Sequence, residues 1–189
     1  MHSVGIVISH HVNRALEPFA DYLEVDRYKV FLSSEEIESM AEHYKLEPTD
    51  LGALCQKMGD WQSSEGFIEG SRLGYWSTSN PKSKYDWYKI GGRWKGFLKL
   101  KVPKKSKWWF FGGRTVSTTD SALIDEIDVA DLKTKEPAFV LINGQWCEGT
   151  MALSDTLNGK SDEMWKRKFQ EIVDKIPSGS IVTVVDVHS

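Results

Sequence analysis

The segment "AFVLINGQWCEG", residues 138–149, constrains the fold more than any other stretch. Asn143-Gly144 sits between two β-prone runs. A two-residue type I′ turn needs positive φ at both central positions, and Asn-Gly satisfies that at least cost. The chain is thereby committed to an antiparallel hairpin. Other runs point the same way: "VGIVI" (4–8) reads as a buried first strand, "DRYKVFL" (26–32) alternates loosely, and "SIVTVVDVHS" (180–189) reads as a last strand. "RWKGFLKLK" (93–101) predicts a further strand with Trp94, Gly96, Leu98 and Leu100 on one side.

Helical spacing fills the gaps. Ile37, Met40, Ala41 and Tyr44 recur at one face behind Ser34, and Glu35, Glu36 and Glu38 suit the positive end of a helix dipole. "PTDLGALCQKMGDW" (48–61) predicts a second helix, capped by Thr49 or Asp50, with Leu51, Leu54, Cys55 and Met58 inward. "SDEMWKRKFQEIVDKI" (161–176) is amphipathic: Ser161 is placed to cap it, Trp165, Phe169, Ile172 and Val173 form its apolar stripe, and Pro177 and Gly179 end it. Residues 62–81, rich in Gly and Ser, read as irregular, and 102–114 as a loop. The expectation is an α+β fold, a mostly antiparallel sheet packed by helices, in a single compact domain over 1–189.

No apolar run approaches the roughly 20 residues that span a bilayer, and the start carries no basic region ahead of an apolar one, so neither a membrane segment nor a signal peptide is expected. Cys55 and Cys147 are far apart and outside any CxxC, which suits free thiols in a reducing cytoplasm. Walker, HExxH, GxSxG and GxGxxG patterns do not occur.

Charge is distributed unevenly. Residues 82–114 hold eleven Lys or Arg against Asp86 alone, ten positive charges in excess; with a formal total of −3, the remainder carries −13. A basic centre within an acidic chain implies local attraction for an anion and argues against general coating of DNA or membrane. The densest part is "SNPKSKYDWYKIGGRWKGFL" (79–98). Lys84, Lys89 and Arg93 offer charge and donors to phosphate or carboxylate, and Trp87, Tyr88 and Trp94 offer π faces to a base or sugar. Gly91-Gly92 let a ligand or another backbone come close, or permit positive φ. The plain alternative is that the rings are core anchors and that Arg93 pairs with Asp86.

On a strand, Val182, Val184, Asp186 and His188 share one face. An Asp-x-His pair there suits a general base oriented by a carboxylate, or a metal pair, or simply a solvated strand end. His10 and His11 end the first strand; a parallel pairing of first and last strands brings them to Asp186 and His188, and an antiparallel pairing separates them. "KWWFFGG" (107–113), with Trp108, Trp109, Phe110 and Phe111, reads as a pocket wall, a protein-contact patch, or half-buried packing.

"NPKSKYDWYKIGGRWKGFL", with "LEPFADYLEV" upstream, "DSALIDEID" between and "IVTVVDVHS" at the end, resembles an uncharacterised phage and bacterial protein family. Its signature is similar to N-P-x-S-K-W-D-W-Y-x-I-G-G-R-W with a closing T-V-V-D-C-H. Asn80, Pro81, Ser83, Lys84, Asp86, Trp87, Tyr88, Ile90, Gly91, Gly92, Arg93 and Trp94 fit, as do Thr183, Val184, Val185, Asp186 and His188. Tyr85 and Val187 stand where Trp and Cys are expected, and the second change weakens any thiol chemistry at that place. The resemblance implies a cytoplasmic setting in host takeover or counter-defence, including capture of signalling nucleotides.

The expected function is therefore binding, with cleavage as an added option, of an anionic nucleotide-like ligand. Lys84, Asp86, Trp87, Tyr88, Lys89, Gly91, Gly92, Arg93 and Trp94 are the binding residues, and Asp186 with His188 the acid–base pair; no metal is assigned and the cofactor is left open. The alternative is a protein- or nucleic-acid-binding module without catalysis.

Overall fold

"IVTVVDVH" is β-branched or apolar at all but two of its positions, a pattern that needs cover on both faces, and it becomes the central strand of the larger sheet. The computed structural model describes residues 1–105, 115–149 and 160–189. These fall into two compact units, one formed by Met1–Asp21 with Lys82–Ser189, the other by Tyr22–Pro81. The fold is α+β, with mostly antiparallel sheets, as the pattern of runs predicts.

In the first unit the strands are β1 (His2–Ile8), β5 (Trp87–Ile90), β8 (Ser121–Leu123), β9 (Phe139–Ile142), β10 (Gln145–Glu148) and β11 (Ile181–His188). The sheet order is β10-β9-β1-β11-β5, with β8 also on β11. β1 runs antiparallel to β11, pairing His2 with His188 and Ile8 with Val182, and parallel to β9. The predicted hairpin forms: Asn143 at φ 52 and Gly144 at φ 72 join β9 to β10. A second antiparallel pair, β6 (Leu98–Lys105) with β7 (Thr115–Thr119), completes the strands of this unit among the described residues.

Each face of the sheet has its own core. On one, Ile6, Val140, Val182 and Val184 meet Leu98, Ile127, Leu132 of the short helix α5 (Val129–Leu132) and the stripe of α6 (Lys160–Asp174), where Phe169 and Val173 are buried and Trp165 and Ile172 half-buried. On the other, Val7, Leu141, Val185 and Val187 meet Leu16, Phe19 and Tyr85, with α1 (Val12–Leu16) above. Gly5 is required here: a Cβ on it would lie 1.9 Å from Phe139 Cζ, whose ring stacks on Trp146 at 3.7 Å.

In the second unit β2 (Tyr28–Phe31), β4 (Arg72–Ser77) and β3 (Gly66–Glu69) form a three-stranded antiparallel sheet in that order. Helices α2 (Ser34–Tyr44), α3 (Leu51–Gln56) and α4 (Met58–Gln62) supply Met40, Ala41, Leu54 and Met58 to a core with Leu32 and Leu73.

Several local expectations are corrected. Ser33, not Ser34, caps α2; its hydroxyl accepts from Glu36 N–H while the Glu36 carboxylate takes Ser33 N–H, a full capping box. The helix predicted over 48–61 starts at Asp50, whose carboxylate accepts from Ala53 N–H, but breaks at Lys57 into α3 and α4. Residues 66–77, expected to be irregular, form β3 and β4 around a tight turn with Gly70 at φ 61. The strand expected over 93–101 begins only at Leu98, because Gly92–Trp94 is one turn of 3-10 helix and Gly96 has φ 78. Of the loop expected over 102–114, β6 takes residues to Lys105; Trp108, Trp109, Phe110 and Phe111 lie outside the described residues, as does the side chain of Ser161.

Candidate functional site

Two registers build the site. β11 lies between β1 and β5, so His188 faces His2 on one side and Trp87 on the other, and one step inward Asp186 faces Val4 and Lys89. Residues paired across strands point to the same face. The sheet thus sets His2, His188 and Trp87 in one row, with Asp186 and Lys89 behind them.

Each imidazole has its own carboxylate. His2 Nδ1 is 2.8 Å from Asp186 Oδ1, and His188 Nδ1 is 2.8 and 3.0 Å from the two oxygens of Asp86. The rings meet edge to face with centroids 5.1 Å apart. Trp87, 45% exposed, stacks on His188 at 5.7 Å and 11°, and stands edge-on to His2 at 5.2 Å. With both Nδ1 atoms bound to carboxylates, Nε2 is the ring nitrogen left to each imidazole for any further partner. The Met1 nitrogen lies 3.4 Å from His188 Nε2.

Asp186 is 2% exposed, and both its oxygens are used. Oδ1 meets His2 and Oδ2 accepts from Arg93 N–H at 3.1 Å. Burial pushes its carboxyl up, but the hydrogen bonds from His2 and Arg93 N–H, with the Arg93 charge behind them, outweigh burial and hold it below the ordinary carboxylate range. The hydrogen bond from His188, aided by Trp87 N–H at 2.7 Å, holds Asp86 low as well, against a smaller effect of desolvation.

The glycine pair is explained by these contacts. Gly91 and Gly92 have φ 69 and 49, and a Cβ on either would fall 2.4 Å from a carboxylate side chain, Asp120 for Gly91 and Asp186 for Gly92. Only two residues without side chains let the backbone wrap over Asp186 and hand it the Arg93 N–H. The close approach is to the protein's own carboxylates.

Of the residues singled out in the sequence, Asp86, Trp87, Gly92, Arg93, Asp186 and His188 come together, with Lys89 and Gly91 beside them. Arg93 does not pair with Asp86, which is held by His188. Lys89 and Arg93 make no ion pair among the described residues. Lys84 lies apart and bridges to Glu148 at 2.7 Å, and Tyr88 points to the opposite face, where its hydroxyl meets Asn13 and its ring meets Tyr85. Trp94 is half-buried against the core that contains Leu98 and Ile127. Part of the basic run is neutralised at home: Lys99 pairs with Asp128 at 3.0 Å and Lys104 with Glu126 at 2.7 Å.

His2 is the residue that sequence reading missed. The antiparallel pairing of first and last strands carries His10 and His11 to the far end of β11, where they line a cleft of about 390 Å³ with Asn143, Gly144 and Ser180, and brings His2 to His188 instead. Among the described residues no group of three or more His, Cys, Asp or Glu is arranged to hold a metal ion, and no helix is long and apolar enough to cross a membrane. Comparison with protein-family models, with curated proteins and with solved structures returned no match to this chain.

Proposed function

We propose that the protein binds an anionic, nucleotide-like ligand over the His2–His188–Trp87 row and cleaves a phosphoester bond there. The observation that carries this reading is the pair of imidazoles, each fixed at Nδ1 by its own carboxylate, with ring centroids 5.1 Å apart. One neutral Nε2 takes a proton from the attacking water as its oxygen bonds to phosphorus. The other imidazole, protonated, gives a proton to the leaving oxygen as its bond to phosphorus breaks. The products are a phosphate ester and an alcohol, and a proton exchanged with solvent resets the pair. Arg93 and Lys89 meet the phosphate charge, and the exposed Trp87 ring takes the base. Asp86 and Asp186 stay ionised and orient the rings.

The resemblance to phage and bacterial proteins makes a signalling nucleotide of host defence the ligand class to test first, in a cytoplasmic setting. A second reading, a protein- or nucleic-acid-binding module without turnover, is supported by the exposure of Trp87 at the sheet edge.

Thermal shift against mono-, di- and cyclic nucleotides, followed by phosphorus NMR of those that stabilise, separates the two. Binding at about 100 times Kd adds roughly 2.7 kcal/mol. Stabilisation with new phosphate-ester signals supports cleavage, stabilisation without them overturns cleavage and leaves binding alone, and the absence of any stabilisation overturns both.

A further inference from the structure

The sheet of the Tyr22–Pro81 unit has one face covered by α2, α3 and α4. The other carries an aromatic row of its own. Phe31, Gly74 and Phe67 lie in register across β2, β4 and β3, and the next step along places Lys29 beside Trp76. Gly74 has no side chain because none fits: a Cβ would fall 2.4 Å from Val30 O and 2.7 Å from Phe67 Cζ. Across it Phe31 and Phe67 meet at 5.3 Å, and Phe67 meets Trp76 at 5.4 Å. The three rings, one from each strand, form a continuous half-buried strip outside the helix-side core.

Cations are laid over every ring. The Arg72 guanidinium is 3.5 Å above Phe31, Arg27 is 4.6 Å above Trp76, and Lys29 Nζ sits 5.3 Å from Phe67 and 5.6 Å from Trp76. Arg27 pairs with Glu65, and Lys29 with Glu69 at 2.9 Å; the two carboxylate side chains are 72% and 55% exposed. Ion pairs that open to water are worth about 0–1 kcal/mol, so both cations are exchangeable. Arg72 has no ion pair among the described residues. The unit as a whole is acidic, with eleven Asp or Glu against five Lys or Arg, so attraction for an anion rests on the three cations of this face and not on the unit's net charge; the acids of α2 lie on the helix side.

We infer that this face is a platform for single-stranded nucleic acid. The rings are turned against one another, Phe31 edge-on to Phe67 at 79° and Phe67 tilted 50° to Trp76, so unpaired bases stack where a cation now lies over a ring face, on Phe31 beneath Arg72 and on Trp76 beneath Arg27, whatever their sequence. The three cations swing from ring to phosphate as the bases replace them. A duplex hides its base faces, so the platform discriminates against it. This goes beyond the phosphoester proposal, which concerns the other unit and other residues.

The test is fluorescence anisotropy of labelled oligothymidylate and oligouridylate, about twelve nucleotides long, with the full chain at low salt. Single strands bind, and a duplex of the same length binds more weakly. Phe67→Ala and Trp76→Ala each weaken binding about tenfold. Arg72→Gln, which leaves the rings and the fold in place, weakens it as well and flattens the salt dependence, whose logarithmic slope in the parent is about −2 for three neutralised phosphates. Met164→Ala, exposed and outside both the strip and the His2–His188–Trp87 row, leaves it unchanged. No binding at about 100 µM, equal binding of duplex, indifference to Arg72→Gln and Trp76→Ala together, or preference for an acidic peptide over the oligonucleotide overturns the inference.

Discussion

His2 Nδ1 and Asp186 Oδ1 lie 2.8 Å apart although 184 residues separate them in the chain. The contact exists because β1 and β11 are antiparallel neighbours, so the first strand residue stands diagonal to the last buried carboxylate. It turns the Asp-x-His strand end into half of a paired site.

That contact fixes a tautomer. Long-range proton–nitrogen NMR of the imidazoles should find Nδ1 protonated and Nε2 bare in the neutral form of both His2 and His188. Asp86→Asn should disturb His188 alone, and Asp186→Asn should disturb His2. Nε2-protonated neutral rings in the parent protein would contradict the assignment.

The carboxylates set an acid limb. Both Asp86 and Asp186 are held below their ordinary value, so each contributes stability that is fully present above about pH 3.9, the unfolded carboxylate value, and is lost as pH falls through the folded value. Urea midpoints measured from pH 7 down to pH 3 should fall with acid, and the fall should be shallower in Asp86→Asn. A variant as acid-sensitive as the parent would assign the limb to other groups.

The backbone wrap over Asp186 has no room for a side chain. Gly92→Ala combines a left-handed residue with a Cβ 2.4 Å from Asp186, and should cost about 2–3 kcal/mol and displace the Arg93 N–H. Gly144→Ala, with φ 72 and nothing near its Cβ, should cost only about 1 kcal/mol. Denaturant midpoints of the two variants test the order, and equal losses would show that the wrap is not tight.

Gly5→Ala tests the opposite face. Its Cβ meets the Phe139 ring, so the ring must leave Trp146, at about 1–3 kcal/mol with altered Trp146 fluorescence. An unchanged spectrum and midpoint would mean that the stack is not held from below.

Much of this was legible in the sequence because local rules sufficed. Asn143-Gly144 fixed a turn, β-branched runs fixed β1 and β11, and the Phe169–Val173 stripe fixed the long helix. Residues 66–77 were not legible as strands, since Gly66, Gly70 and Gly74 read as breakers; one is a turn and the others make room for Cys55, Met58 and Phe67. Of the residues that the structure brings together, Asp86, Trp87, Lys89, Gly91, Gly92, Arg93, Asp186 and His188 were named from the sequence, and Lys84, Tyr88 and Trp94, named with them, lie elsewhere. His2 was hidden because its role depends on the sense in which first and last strands pair, a long-range choice that alternation along one strand does not encode. The glycine pair drew notice for the right physical reason, close approach, but what approaches is a carboxylate of the same chain.

The most direct measurement is turnover of whichever nucleotide stabilises the protein, comparing the parent with His2→Gln and His188→Gln. The account predicts that each single variant keeps its fold and its ligand and loses about 10²–10⁴-fold in rate, and that the parent rate is bell-shaped in pH because one imidazole must be neutral and the other protonated. Full activity in either variant would contradict it.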